Sequence, residues 1–587
     1  YDLDDVSAPV WMVFNAGEYS ASDPRTGAPV YSSIFALNGR VYLGMTSASG
    51  LQELDFANDK ATNFIPAGTY EFSENLGNRN ATGSYNLVSS NSLVNNTVND
   101  VAATVLEGAE IGALGLPEVT IGVATNDGVS VIHGGSGAVY DIKGNQTYKE
   151  YKKVFFTDDG KVGFNYEASG TQNRAVFTGI EPIPYADKTS SGIDWAVEKY
   201  AEGNYGNHAS NEFGLATTTS LNSSDDAIPN AVVPTTKTGL AFGYPDRLSI
   251  VKRNTGYDKD GAVAYITSDY NTGYMLGDIR FAGLANAASA DRSVKGNTLN
   301  HNGSVSNADV ATGAELQAYS GFSASNYLSR SYDADFDFGT GDFSIMLWVK
   351  LANTVNATET AILRNDVSDA SKATIGVDFV NGVPRLLAYG GGWNSTTAQT
   401  DLSDDRWHQV LLFRRSGKVF IYVDGIYDLS YTGGKTVGND LSNNTATMRI
   451  GLHNNGNNPL ANGSLALVRI SATAPTPQQV KEIYEAEKPL FRAGAKCLLQ
   501  GDGTANVVNA LSFDKSTDLL HVFQQGDTIA ENSFRGLEVV ESRGRKSNGW
   551  SFSSAALGAA AGGVTASART TGTGGVIVDL PPFDVRG

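Results

Sequence analysis

Two loops rich in glycine and asparagine carry the residue types with which proteins bind sugars. The first loop follows Tyr389 with three glycines and then Trp393 and Asn394. An exposed aromatic ring packs against the apolar face of a sugar, and amide groups bond its hydroxyls. The second loop begins with His453 and Asn454 and is rich in asparagine. These five residues are therefore our candidate ligand-binding residues.

Both loops also have a simpler interpretation. Trp393 can pack beneath its own glycine-rich loop, and the second loop can be a solvated turn without a ligand. Trp348 and Trp407 belong instead to segments of alternating apolar residues, which predicts core positions for both rings. His408, next to Trp407, is predicted to be structural.

The sequence contains no convergent set of transition-metal ligands. Its six histidines are widely spaced, no His-x-x-x-His pair occurs, and Cys497 is the single cysteine. Asp258 to Gly261 resembles the start of a calcium-binding loop, but Ala262 and the missing late glutamate break that pattern. We predict a tight hairpin turn there and assign no metal ligand.

Patterns that could serve catalysis fail on spacing. The stretch from Gly433 to Thr436 ends like a phosphate-binding loop, but Leu429 stands where the first glycine is required. Ser136 lies among glycines, but not in the Gly-x-Ser-x-Gly order of a nucleophile elbow. Glycosidases need two carboxylates about 5–9.5 Å apart, and an acidic pair scattered along the chain stays an open alternative. We therefore name no catalytic residue.

Composition limits the classes of partner. The 587 residues include 43 Lys and Arg against 62 Asp and Glu, and the net charge of −19 leaves no broad basic face for nucleic acid. A single cysteine excludes an internal disulfide, and no run of about 18 apolar residues predicts a membrane span. The chain opens at Tyr1 with neither an initiator methionine nor a secretory signal, which predicts a trimmed or processed form.

Short alternating apolar segments, separated by Asn-Gly and Asp-Gly turns, must position these residues. Ser33 to Leu37 and Arg40 to Gly44 flank Asn38-Gly39, the strongest hairpin signal in the chain. Lys153 to Thr157 and Lys161 to Phe164 repeat this arrangement around an Asp-Gly turn. With 65 glycines, these hairpins predict an all-β fold whose body is propeller-like or built from repeated β-hairpins.

From about residue 288 the pattern becomes more specific. The run Phe-Ser-Ile-Met-Leu-Trp-Val-Lys from Phe343 resembles the core strand of the concanavalin A-like, laminin-G-like jelly roll. Further landmarks of that family follow in order, namely Asp405 to Val410, Val419 to Gly425, Arg449 to Gly451, Gly463 to Ile470 and a closing helix at Thr476 to Tyr484. The resemblance implies a two-sheet sandwich. It admits calcium at one rim and implies no other cofactor.

These patterns divide the chain into five segments. We predict an N-terminal connector at 1–29, the β-repeat body at 30–287 and the jelly roll at 288–490. The chain then returns to the body at 491–545 and ends in a Gly/Ala-rich β tail at 546–587, a candidate subunit-contact segment. The jelly roll is thus expected to be inserted in the body.

A jelly roll inserted in acidic β repeats resembles bacteriophage tail fibres and tailspike-type receptor-binding proteins. That resemblance implies adhesion to a host surface polysaccharide or outer-membrane protein, a homotrimer, contacts with other tail or baseplate proteins, and a place in the virion tail. From the charge, the lack of a long apolar run and the lack of a catalytic pattern, we expect neither nucleic-acid binding nor membrane insertion, and no enzymatic activity.

Two alternatives stay open. One is a polysaccharide-degrading tailspike, although the Glu-x-Asp-x-x-Glu run of jelly-roll glucanases and the Ser-x-Asp-x-Gly-x-x-Trp turns of sialidases do not occur. The other is a non-viral extracellular adhesin or carbohydrate-binding protein.

Overall fold

The computed structural model describes most of the chain between residues 31 and 544. The described residues are 31–46, 50–56, 58–72, 85–112, 115–144, 149–169, 174–190, 198–202, 229–235, 239–252, 261–287, 290–293, 295–353, 355, 357–366, 368–369, 371–390, 395–430, 433–453, 456–500, 507–524 and 529–544. The predicted connector and C-terminal tail, and the predicted turn at Asp258, lie outside these ranges.

Five small sheets, antiparallel apart from one strand pair, make up the described part of the chain outside the sandwich. Sheet 1 contains β1 (Tyr31–Leu37), β2 (Arg40–Met45), β3 (Leu51–Asp55), β4 (Lys60–Ile65), β5 (Gly68–Phe72) and β6 (Tyr85–Ser89). Sheet 2 contains β7 (Val98–Thr104), β8 (Thr120–Thr125), β9 (Val129–Ile132), β10 (Val139–Gly144) and β14 (Lys188–Ser190), the last parallel to β10. Sheet 3 contains β11 (Lys149–Phe156), β12 (Lys161–Ser169), β13 (Arg174–Pro182) and β15 (Glu198–Glu202).

Sheets 4 and 5 lie on either side of the sandwich in sequence. Sheet 4 contains β16 (Ala231–Pro234), β17 (Gly239–Gly243), β18 (Leu248–Lys252), β19 (Ala262–Ile266) and β20 (Met275–Leu276). Sheet 5 contains β37 (Val508–Asp514), β38 (Leu519–Gln524), β39 (Ile529–Arg535) and β40 (Glu538–Gly544).

The predicted Asn-Gly hairpin is confirmed at β1 and β2. Asn38 and Gly39 both have positive φ angles, 51° and 73°, as the two central residues of a tight hairpin turn require. Leu37 then pairs with Arg40 across the turn. The sequence therefore predicted this local structure because one dipeptide fixes it.

The five small sheets adjoin in chain order. β7 contacts β1 and β11, and β16 contacts β11 and β37. Sheet 5 reaches sheet 4 directly, since the backbone N–H of Val508 donates to the carbonyl of Tyr244 at 2.9 Å. The chain thus returns to the repeated sheets after the sandwich, and a propeller arrangement of these sheets stays a prediction.

The sandwich consists of two larger antiparallel sheets. The helix-side sheet contains β21 (Ile279–Gly283), β23 (Ser306–Asp309), β24 (Gln317–Ser320), β26 (Phe343–Leu351), β31 (Trp407–Arg415), β32 (Lys418–Val423), β33 (Ile426–Tyr427), β34 (Lys435–Thr436) and β36 (Gly463–Ser471). The far sheet contains β22 (Asn300–Asn302), β25 (Tyr327–Arg330), β27 (Thr358–Asn365), β28 (Thr374–Val380), β29 (Val383–Tyr389), β30 (Ser395–Thr397) and β35 (Thr447–Ile450). β21 pairs with β36, so the helix-side sheet takes a strand from upstream of residue 288.

Both faces of β26, the central strand of the helix-side sheet, are buried except at Lys350. Ile345 and Leu347 of β26 point into the core between the two sandwich sheets. Met346 and Trp348 point to the opposite face, where they pack with side chains of sheets 4 and 5. Alternate residues of a strand point to opposite faces, so the sequence of a strand that is buried on both faces is an uninterrupted run of apolar residues. This explains the unbroken run at Phe343.

The predicted closing helix is confirmed as α1 (Pro477–Glu487). Thr476 caps its first turn in a reciprocal capping box with Gln479, and Pro477 occupies the first helical position. Short 3₁₀ segments lie at Ala285–Ala287, Ala334–Phe336 and Lys488–Phe491. Among the described residues, no helix is long and apolar enough to cross a membrane.

The chain enters and leaves the sandwich at one place. The backbone N–H of Leu499 donates to the carbonyl of Thr267 at 2.9 Å. The side-chain amide of Asn271 donates to the carbonyl of Cys497 at 3.0 Å. The segment before β21 and the segment after α1 are therefore bonded side by side.

Candidate functional site

The structure describes two of the five predicted ligand-binding residues. Tyr389 ends β29, is only 7% exposed, and packs with Leu363 and Leu387 on the outward face of the far sheet. His453 lies just after β35, where its backbone N–H donates to the carbonyl of Asn457 at 3.2 Å. Trp393, Asn394 and Asn454 lie outside the described residues.

The strand register places Tyr389 and His453 at opposite ends of the far sheet. Tyr389 pairs with Thr374, at the end of the sheet where β35 begins. His453 follows the other end of β35, where the N–H of Thr360 bonds the carbonyl of Asn458 at 3.0 Å. These two residues therefore do not form one site.

A cleft of about 350 Å³ opens at one end of the outward face of the helix-side sheet. Neighbouring strands supply its lining, because Lys350 pairs with Trp407 on one side and with Ser464 on the other. Ser320 of β24 and Asn462, just before β36, complete the polar part of the wall. Residues far apart in sequence thus line one cleft.

Trp407 forms the aromatic wall of the cleft. Its indole N–H donates to the carbonyl of Val310 at 2.8 Å, and Phe491 packs against it at a ring separation of 5.2 Å. The ring is half-buried: it packs against the apolar cluster that contains Trp348, as predicted, and it also lines the cleft. The reason is its position, since Trp407 begins β31 at the edge of the apolar cover that buries Trp348 completely.

Polar groups of the cleft remain available to a ligand. Lys350 and Asp405 form an ion pair at 3.1 Å whose side chains are 36% and 63% exposed. Buried Glu359 holds the side-chain amide nitrogen of Asn462 at 2.6 Å, and the amide oxygen of Asn462 accepts no hydrogen bond from the residues that the structure describes. Within the described residues, the hydroxyls of Ser320 and Ser464 make no hydrogen bond. An indole beside hydroxyl, amide and charged groups is suited to binding a polyhydroxylated ring.

His408 is held between two carboxylates behind the cleft wall. Its Nδ1 lies 2.7 Å from Asp424 and its Nε2 lies 3.0 Å from Asp404. The contact with Asp424, followed by that with Asp404, raises the pKa of His408 above its ordinary value against the opposing effect of burial. Held on both sides, the imidazole thus fixes the segment that carries Asp405 and Trp407.

A second charged cluster joins sheets 1 and 2. The guanidinium of Arg40 lies 3.0 Å from Asp55, 3.7 Å from Glu53 and 3.1 Å from Glu118. Burial is the main cause that raises the pKa of Glu53 to about 7. Because one guanidinium stands between the carboxylates of Glu53 and Glu118, the cluster acts as an ionic tie between the two sheets.

Metal binding finds no support among the described residues, where no group of three or more His, Cys, Asp or Glu side chains could hold an ion. Lys435, in the stretch that resembles a phosphate-binding loop, belongs to β34, and its ammonium donates to the carbonyl of Ser395 at 2.7 Å. The turn at Ser136 closes through a bond from the N–H of His133 to the carbonyl of Ala138 at 2.8 Å.

Sequence comparison assigns the sandwich to a family. Residues 322–481 match the model of the concanavalin A-like lectin/glucanases superfamily. The sandwich is a concanavalin A-like domain. Among curated proteins, none matches the sequence.

Solved structures show distant likeness. Domain 4 of AbnA, an extracellular arabinanase of Geobacillus stearothermophilus in complex with arabinotriose, is 19% identical over 35% of this chain and 99% of that chain, with a TM-score of 0.27. The receptor-binding domain of botulinum neurotoxin mosaic serotype C/D is 14% identical over 36% of this chain and 51% of that chain, with a TM-score of 0.27. Trypanosoma rangeli sialidase is 12% identical over 80% of this chain and 86% of that chain, with a TM-score of 0.28. Because all three TM-scores are low, none of these likenesses bears on the ligand of this chain.

Proposed function

We propose that this protein binds a glycan on a host cell surface through its concanavalin A-like domain. The observation that carries the proposal is the cleft in which Trp407 stands beside Lys350, Asp405 and Asn462. An outer-membrane protein that presents similar groups is the second receptor class for the same surface.

We further propose that the protein is a bacteriophage tail fibre, placed in the virion tail as a homotrimer and joined there to other tail or baseplate proteins. A domain with lectin-like architecture, joined to repeated β sheets in an acidic chain, supports this assignment. Several linked copies would multiply weak single-site binding without any new contact. A non-viral extracellular adhesin is the alternative for the same binding chemistry.

Binding without hydrolysis is part of the proposal. A hydrolytic tailspike would need two carboxylates with a sugar between them. The acidic pair of Glu53 and Glu118 has the Arg40 guanidinium between its members instead, which favours a structural role. Calcium at the rim of the sandwich likewise remains an expectation from resemblance.

The experiment measures retention of the full chain on candidate host cells and the reducing ends released from their extracted glycans. We expect retention without new reducing ends, and loss of retention in Lys350→Gln and Ser464→Tyr, the second of which fills the cleft. Arg406→Gln is the matched control, because Arg406 is exposed and does not line the cleft.

Other outcomes point elsewhere. Loss of retention in Trp393→Ala alone would move the site to the glycine-rich loop. New reducing ends that disappear in Glu53→Gln would replace the binding proposal with hydrolysis. Retention that survives both cleft variants would contradict the assignment of the cleft.

A further inference from the structure

The outward face of the far sheet carries a continuous row of residues joined by strand register. Each member is the direct partner of the next, and the row crosses all seven strands. In order, it contains Asn300, Ser329, Arg449, Leu363, Gly376, Leu387 and Ser395. The neighbours of these residues along β25, β27 and β35, such as Leu328, Ile362 and Met448, point into the sandwich core. The row therefore faces away from the core.

Arg449 is the charged member of this row, and in the described part of the chain it has no anionic partner. Its Nη1 donates to the amide oxygen of Asn365 at 3.3 Å, and within the described residues no carboxylate lies within ion-pair distance of the guanidinium. On the same face, Arg385 is paired with Asp378. An unpaired guanidinium is conspicuous in a chain with 62 acidic residues and a net charge of −19.

The guanidinium is also partly withdrawn from water. Burial lowers the pKa of Arg449 below its ordinary value, and the group that opposes this effect is the Tyr327 hydroxyl rather than a carboxylate. A charge that is desolvated without a counter-charge raises the free energy of the folded protein. An anion that bound here would remove that cost.

Hydroxyl and aromatic groups surround the guanidinium. Ser329 lies directly across from Arg449, and its hydroxyl accepts a bond from the amide of Asn302 at 2.9 Å, so its proton is available to a ligand. Tyr327 is half-buried two residues earlier on the same face of β25, and within the described residues its hydroxyl makes no hydrogen bond. This face of the sheet therefore presents the guanidinium of Arg449, the hydroxyl of Ser329 and the aromatic ring of Tyr327 to a ligand.

We propose that Arg449 is the centre of a second binding site, which takes the carboxylate of a sugar acid, such as a uronic or sialic acid residue of a glycan. The planar guanidinium matches a carboxylate through two parallel hydrogen bonds. Tyr327 then packs against the sugar ring, and Ser329 bonds a hydroxyl. The choice of a sugar as the carrier of the carboxylate rests on the proposed function, whereas the anion site at Arg449 does not.

The experiment uses the full chain and follows the binding of D-glucuronate and D-glucose by saturation-transfer NMR and calorimetry, and that of inorganic sulfate by calorimetry alone. We expect saturable glucuronate binding that weakens about tenfold or more in Arg449→Gln, since a charge-assisted bond is lost, and weakens less in Arg449→Lys. Ser329→Ala, which removes the hydroxyl that bonds the sugar, should weaken binding moderately and provides a second variant should Arg449→Gln fail to fold. Arg406→Gln is the control for net charge.

Three results would overturn the inference. These are no glucuronate binding by the unmodified chain, equal affinity in Arg449→Gln, and glucose or sulfate binding as strong as that of glucuronate. Lys350→Gln separates this site from the cleft, because it should abolish retention on cells if the cleft is the receptor site and leave glucuronate binding unchanged. The two proposals can thus fail independently.

Discussion

The indole N–H of Trp348 donates a hydrogen bond of 2.7 Å to the buried carboxylate of Glu487. The same carboxylate accepts from the guanidinium of Arg469 at 2.9 Å and from the backbone N–H of Tyr274 at 2.9 Å. Glu487 is fully buried. One side chain therefore attaches the end of α1 to the helix-side sheet and to the segment that enters the sandwich.

We predict that Glu487→Gln is strongly destabilising. The substitution leaves the buried Arg469 without a counter-charge, which costs about 3–5 kcal/mol. The measurement is denaturant unfolding followed by tryptophan fluorescence, with Glu485→Gln as the control because Glu485 is exposed two residues away on the same helix. Equal midpoints for the two variants would contradict this account of the network.

We predict that His408 makes stability depend on pH near neutrality. Asp424 and Asp404 raise its pKa above the ordinary 6.5. The protonated ring therefore stabilises the fold fully below pH 6.5, and this contribution is lost as the pH rises through the raised pKa. The melting temperature of His408→Gln should fall less between pH 6 and pH 9 than that of the unmodified chain. His301→Gln, at an exposed histidine, should behave like the unmodified chain.

Glu53 should add a loss of stability in the same direction as His408, in a window at lower pH. Its pKa of about 7 lies above the ordinary 4.5, so the folded chain holds a proton that the unfolded chain releases. Stability contributed by Glu53 is then complete below pH 4.5 and falls as the pH rises to 7, by on the order of 1–3 kcal/mol. The protection factors of the β2 and β3 amides, which are corrected for the intrinsic pH dependence of hydrogen exchange, should fall over this range, and Glu53→Gln should remove that fall. Glu71→Gln, in an exposed ion pair of the same sheet, is the control.

Two glycines test how tightly the sandwich is packed. Gly451 has a φ of +84°, and a methyl group there would lie 2.0 Å from the ring of Phe322. Gly494 has a similar φ of +71° but nothing within 4 Å. Both alanine variants carry the same backbone strain, so Gly451→Ala should lose about 1–3 kcal/mol more in unfolding free energy than Gly494→Ala. Similar losses would show that Phe322 moves aside freely.

Local patterns predicted the strands, whereas the two proposed binding surfaces depend on the register between strands. The strand at Phe343 and the Asn38-Gly39 turn are each determined by residues adjacent in sequence, so both were predicted correctly. Lys350 and Ser464 meet only because β26 pairs with β36. The spacing of residues along the chain does not predict which residues become neighbours across two strands.

The neighbours of a residue in the far sheet could not be predicted from the sequence either. Arg449 is one of 43 basic residues in the sequence, and its lack of a carboxylate appears only when β25, β27 and β35 are side by side. Tyr389 shows the reverse case. Its glycine-rich neighbours indicate an exposed loop, but the strand places its ring on Leu363 and Leu387.

The sequence did contain a signal for the position of Trp407. The acidic pair Asp404-Asp405 just before it marks a strand end near solvent.

The bond between Thr267 and Leu499 has a consequence for how such genes could evolve. Because the chain enters and leaves the sandwich at adjacent points, one stretch of coding sequence specifies the whole binding domain together with its attachment. Recombination at residue 288 would separate β21 from β36 and break a sheet, whereas crossovers near residues 267 and 499 would transfer an intact cassette. A transferred segment would fold only if the outward face of its helix-side sheet fitted sheets 4 and 5, so proteins that exchange this sandwich should share that face while their clefts diverge.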